Sequence, residues 1–151
     1  MEYAVQLITA FTGSVGFSLL FNVRRGKLTL AGLGGVIAWG VYLLSGLLIS
    51  NDVPRFFLAS LALTLYAEIM ARVCKAPATV FLVSASIPLI PGGSLYTTMR
   101  YAVESQWEAF SAQGTYTLLL AAAIAGGMMC MMALLHAVSK IFVATEHIIR
   151  E

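Results

Sequence analysis

The sequence predicts an all-α integral membrane protein, a single transmembrane helical bundle of about five spans with the fourth interrupted at Pro88–Gly93. Three observations lead there. The 151 residues are 60% hydrophobic and 11% charged, with a mean hydropathy of +0.88, against roughly 45–50% apolar and about 25% charged in an ordinary soluble domain. Apolar runs close to the roughly 20 residues that a helix needs to cross about 30 Å of hydrocarbon recur along the chain. Short polar segments separate them, and the cations gather in alternate ones. A soluble domain of this length has too little interior for so much apolar surface, and a disordered chain needs low hydrophobicity and high net charge. A net charge of +2, spread along the chain, makes no basic stripe for a phosphate backbone, which excludes nucleic acid as a partner. The lipid bilayer is the solvent.

The first span covers residues 3–21 and ends at Asn22, ahead of Arg24, Arg25 and Lys27. A cleavable leader carries its cations before the apolar core, whereas here Glu2 precedes it and the cations follow, so the segment reads as a retained helix capped by Asn22. The second span, residues 28–50, carries Gly32, Gly34, Gly35, Gly40 and Gly46, which let helix backbones approach closely in lipid. They form no dinucleotide loop, because Ile37 occupies the third glycine position and no strand precedes them. After the polar turn Asn51–Arg55, the third span covers residues 56–73, contains Glu68 and ends with Arg72 and Lys75. The fourth, residues 76–90, gives about 22 Å of helix, short of the hydrocarbon thickness. It runs into Pro88-Leu89-Ile90-Pro91-Gly92-Gly93.

Residues 94–111 read as an amphipathic continuation. Leu95, Met99, Val103, Trp107 and Phe110 recur at helical spacing, and Arg100, Glu104 and Glu108 follow one another at i, i+4 and i+8. Such a helix lies in the outer interface, or turns its charged stripe to a water-filled cavity. The last span, residues 116–143, has an Ala/Gly packing patch and a run of methionines as adaptable filler. Cations are retained on the cytoplasmic side. Arg24, Arg25 and Lys27 in the first connection and Arg72 and Lys75 in the third outweigh the single Arg55 and Arg100 in the second and fourth. The N-terminus is therefore expected outside and the C-terminus in the cytoplasm, unless the interrupted segment dips and returns on one side.

Two features carry candidate chemistry. Glu68 is an acid well inside an apolar span, where an ionised group costs about 2.5–3.5 kcal/mol. Arg72 lies one turn away, so the two form an interfacial anchoring pair, or Glu68 loads and releases a proton during transport. The Pro88–Gly93 stretch frees backbone groups that lipid cannot satisfy, which is tolerated beside a cavity or protein. With Ser94 as the cap of the next helix, the amides that follow suit a small carboxylate substrate. The alternative is a plain turn at the outer end of a short helix. Ser84 and Ser86 read as helix-packing hydroxyls, and Cys74 and Cys130 as packing residues. There is no HExxH, no Ser/His/Asp set and no paired intramembrane carboxylates, so no enzyme, metal or cofactor is assigned.

Three segments together carry a resemblance: Gly16-Phe17 through Phe21-Asn22, Glu68 and Arg72 with Lys75-Ala76-Pro77-Ala78-Thr79-Val80-Phe81, and Ile87-Pro88 through Pro91-Gly92-Gly93-Ser94-Leu95-Tyr96-Thr97-Thr98-Met99. Over nearly its whole length the chain resembles the threonine/serine exporter family, and more narrowly the small membrane-only subunit of its split form, the type that includes a two-component succinate exporter. The resemblance implies an inner-membrane secondary exporter of small amino acids or dicarboxylates, driven by proton antiport. It implies a larger partner subunit with a cytoplasmic domain, or copies of this chain, to complete the transporter. It carries over Pro88, Pro91, Gly92 and Tyr96 as the signature turn and Asn22 as the end of the first span, and it leaves the coupling role of Glu68 and Arg72 open. The rival from another class is a structural or assembly subunit of a membrane complex without transport activity of its own, consistent with the Gly/Ala packing faces.

Overall fold

The computed structural model describes residues 1–150 of the chain, with side chains through residue 140. Helix α1 spans Glu2–Leu20, and after a 3-10 turn at Arg25–Lys27 come α2 (Leu28–Ser45) and α3 (Asp52–Val73). Then follow α4 (Ala78–Ser86), a 3-10 turn at Ile87–Leu89, α5 (Gly92–Val103) and α6 (Trp107–Arg150). Among the described residues there is no strand. Helices α1, α2, α3 and α6 are each long and apolar enough to cross a membrane. The segments Ala78–Leu89 and Gly92–Val103 pass the same test only together, bent by 55° at the break. The chain thus has four spanning helices, and a fifth crossing where α4 and α5 count together as one broken span.

Several boundaries differ from the sequence expectation. The second span stops at Ser45 and the third starts at Asp52, where Asn51 caps it by accepting from the Val53 N–H at 3.0 Å. The amphipathic helix expected over residues 94–111 does not exist as one element. It ends at Val103, and Trp107 and Phe110 belong to α6, which therefore begins well before residue 116. The cause is a left-handed residue, Ser105 at φ 57°. The Ser105 N–H bonds to the Ala102 carbonyl at 3.1 Å and the Gln106 N–H to Tyr101 at 2.9 Å, which closes the helix. Helices α1 and α3 end in the same way, with Asn22 at φ 55° and Lys75 at φ 48° as the left-handed residues.

Helix α1 packs on α2, α2 on α3 and α4, α3 on α6, and α5 chiefly on α6. Small residues set these distances. Ser14 of α1 fills the space where Gly35 of α2 lacks a side chain, and Ser60 of α3 does the same at Gly127 of α6. One core joins Ala38, Phe56, Ala59, Leu63, Ala85, Leu89 and Leu120. Leu89, from the 3-10 turn, is fully buried within it, so the break is pinned against α2, α3 and α6.

Candidate translocation site

Two hollows flank the break. One, of about 220 Å³, is lined by Gln6, Thr9, Ala10 and Gly13 of α1, Trp39 of α2, and Ile87 and Pro88. The other, of about 260 Å³, is lined by Ser86, Ile90 and Pro91 together with Ala121, Ile124, Ala125 and Met128 of α6. Residues 9–13 are the middle of the 19-residue α1, which sets the break near mid-depth of the bundle rather than at the outer end of a short helix. Both are open grooves with mainly apolar linings, each large enough to admit a small metabolite. Gln6 contributes the polar end of the first: its Oε1 accepts from Trp39 Nε1 at 3.1 Å.

At the break the Gly92 N–H turns back to the Ile90 carbonyl at 2.7 Å, and the Leu95 N–H donates to Pro91 at 3.0 Å. The intervening amides of Gly93 and Ser94 fall in the first turn of α5, where no helical carbonyl precedes them. A methyl group built on Gly92 or Gly93 meets nothing within 4 Å, so a ligand has access to the backbone there. The expectation for Ser94 is corrected. Pro91 holds the cap position, and Ser94 lies inside α5 with its hydroxyl turned to α6. It shares a hydrogen bond of 2.7 Å with the Thr117 hydroxyl and accepts from Gln113 Nε2 at 2.9 Å, while Thr98 and Thr117 meet at 3.1 Å. Proline lacks both a side-chain acceptor and an N–H, so the helix start is left open rather than capped.

The remaining expected residues are not gathered at the break. Tyr96 is exposed on α5. Asn22 closes α1 at the far end of that helix, next to a separate hollow lined by Phe21, Val23 and residues of α4. Glu68 pairs with Arg72 at 3.6 Å, with side-chain exposures of 22% and 61%. The pair sits in the last two turns of α3, away from Leu89 and the break. Among the described residues no group of His, Cys, Asp and Glu is arranged to hold a metal ion.

The profile described as "Threonine/Serine exporter, ThrE" matches residues 6–134, most of the chain and all of the break. The chain belongs to this exporter family. No solved structure matches it. The exporter also contains a polar cluster that its sequence did not announce. Asp52 Oδ1 accepts from the Tyr42 hydroxyl at 3.0 Å and from Arg55 Nη1 at 2.8 Å, and Asp52 Oδ2 accepts from the Tyr116 hydroxyl at 2.8 Å. The Arg55 guanidinium stacks 4.0 Å over the Tyr42 ring. One carboxylate thus ties α2, α3 and α6 of the exporter together. Its sequence signal was an Asp and an Arg three apart at a helix start. Tyr116 lies 64 positions further on, and no periodicity links the two.

Proposed function

We propose that the chain is the membrane subunit of a secondary exporter of small carboxylate-bearing metabolites, threonine and serine or a succinate-like dicarboxylate, working with a larger partner subunit. Membership of the exporter family supports transport as such. The observation that carries the finer reading is the open, uncapped start of α5 at unobstructed Gly92 and Gly93, next in sequence to Pro88 and Pro91, which line the two hollows. Helix N-termini hold carboxylates through their first amides and the positive end of the helix dipole, the arrangement that broken helices of transporters use. Glu68 is the proposed proton carrier. It is partly buried in a span and has one partner, a largely exposed arginine at a distance longer than a good hydrogen bond. The partner subunit, or further copies of this chain, would wall off the side of α5 that is now exposed at Leu95, Tyr96, Met99 and Val103. The N-terminus is proposed to lie outside and the C-terminus in the cytoplasm of the inner membrane.

Uptake of labelled threonine, serine and succinate into proteoliposomes under an imposed pH gradient, with and without the partner, tests this directly. Transport of at least one of the three is expected, and transport of none sinks the proposal. The variant E68Q combined with P91A separates transport from scaffolding. A transporter subunit should still assemble but move no substrate, whereas an assembly subunit loses assembly only in proportion to stability.

A further inference from the structure

Gln6 is the one carboxamide side chain within α1 to α5, since Asn22 and Asn51 stand outside the helices. An amide among apolar groups is costly unless its polar atoms find partners. One side of this amide has one. Trp39 Nε1 can donate but not accept, so the atom that faces it at 3.1 Å is the Gln6 oxygen, and the sense of the carboxamide is fixed. The indole is itself held, stacked at 4.7 Å on Tyr42, which Asp52 and Arg55 secure in turn. Gln6 Nε2, with two N–H donors, is left turned from Trp39 and has no acceptor among the described residues. Gln6 and Trp39 both line the hollow of about 220 Å³ that also touches Pro88, and no lining side chain is charged. The Thr9 hydroxyl in that wall is already given to the Gln6 carbonyl at 2.9 Å, so the free donors among the lining side chains are those of Gln6. A methyl group built on Gly13, two turns or about 10 Å further along α1, meets nothing within 4 Å, so that part of the hollow is open too.

We propose that Gln6 is a substrate contact, its Nε2 donating to a carboxylate oxygen of the transported solute in the hollow beside Pro88, and that Trp39 is the positioning residue that holds the amide in that sense. The proposal rests on the exporter reading above and adds a contact on α1 to the amides at the start of α5. A group that only donates suits an ionised carboxylate, which only accepts. Because the donor is neutral and the walls carry no charge, the solute is held without a counter-ion and can leave again, as transport requires.

The chain has two tryptophans, so Trp107→Phe leaves Trp39 as the sole indole and as a fluorescent reporter in the wall of the hollow. In that background threonine, serine or succinate should change Trp39 emission saturably, and ethanolamine, which is serine without its carboxylate, should not. The solute that responds separates an amino acid from a diacid. Gln6→Glu keeps an acceptor for Trp39 Nε1 but replaces the two donors with a negative charge. Above the titration range of a carboxylate its apparent Kd should rise roughly tenfold or more, the size of one hydrogen bond to a charged group. A Gln6 that merely supported Trp39 would leave Gln6→Glu with unaltered affinity. Gly13→Leu fills the hollow without touching Gln6 and should abolish the response, while favouring the helical state of α1. No change at Trp39 with a solute that the wild-type protein transports, an equal response to ethanolamine, or unaltered affinity in Gln6→Glu overturns the inference. A wild-type protein that moves none of the three solutes overturns the exporter reading alone, and the Trp39 titration still decides whether the hollow takes a carboxylate.

Discussion

A methyl group added at Gly127 would meet Ser60 and come within 2.7 Å of the Phe57 carbonyl, whereas one added at Gly92 or Gly93 would meet nothing within 4 Å. Gly127→Ala should therefore weaken the α3–α6 contact by about 1–3 kcal/mol. Gly93→Ala should stiffen α5 by about 0.5–1 kcal/mol. The two variants are told apart by thermal melting in detergent. If substrate approaches the α5 amides, Gly93→Ala should also slow transport despite its higher stability, and an unimpaired Gly93→Ala would remove the amides from the binding site. Asp52→Ala leaves two tyrosine hydroxyls without their acceptor and Arg55, 17% exposed, with only its 3.4 Å bonds to the Tyr42 carbonyl, for an expected loss of about 1–3 kcal/mol. A melting temperature equal to wild type would show that water replaces the carboxylate. The packing role of Gly34 and Gly35 was legible because small residues in a membrane helix have few other uses. The Asp52 cluster was not, because its partners come from helices that only the tertiary fold brings together.

Among the elements, the break was the most legible, since two prolines and two glycines within six residues have no regular helical solution. Its surroundings were legible only in part: the run before it is too short to span unaided, which favours a break beside a cavity over a plain outer turn, and the burial of Leu89 and the hollow shared with Ala10 and Gly13 place it beside the middle of α1. The end of α5 was missed for a different reason. Helix termination there rests on a left-handed serine, and Ser105-Gln106 carries neither of the residues that usually announce a stop. A left-handed non-glycine residue costs roughly 1 kcal/mol or more. Ser105→Gly should recover about that much, read as a higher melting temperature, with no change in helical signal by circular dichroism. A lowered melting temperature would mean that the Ser105 side chain makes a contact worth more than the strain.

At the scale of the whole molecule, a fifth crossing through the broken α4–α5 pair would put the two ends of the bundle on opposite faces. The proposed orientation predicts that a fluorescent protein able to mature only in the cytoplasm glows when fused after Glu151 and stays dark when fused ahead of Met1. The reverse pattern would invert the orientation. The four long spans were legible from hydropathy, whereas the path of the fourth apolar run was not, because a sequence break looks the same whether the chain continues through the bilayer or turns back.

The length of α6 has one more consequence. Its stretch Trp107–Lys140, an apolar middle with polar ends at Glu108 and Lys140, runs for 34 residues, or about 51 Å of axis against about 30 Å of hydrocarbon. Such a rod must lean or project, and α5 leans with it because the pair is joined through Ser94, Thr98 and Thr117. Acyl-chain length would then set the tilt of the arm above the break, and with it the pumping rate, so phospholipids a few methylenes longer or shorter should retune this protein as a mutation would.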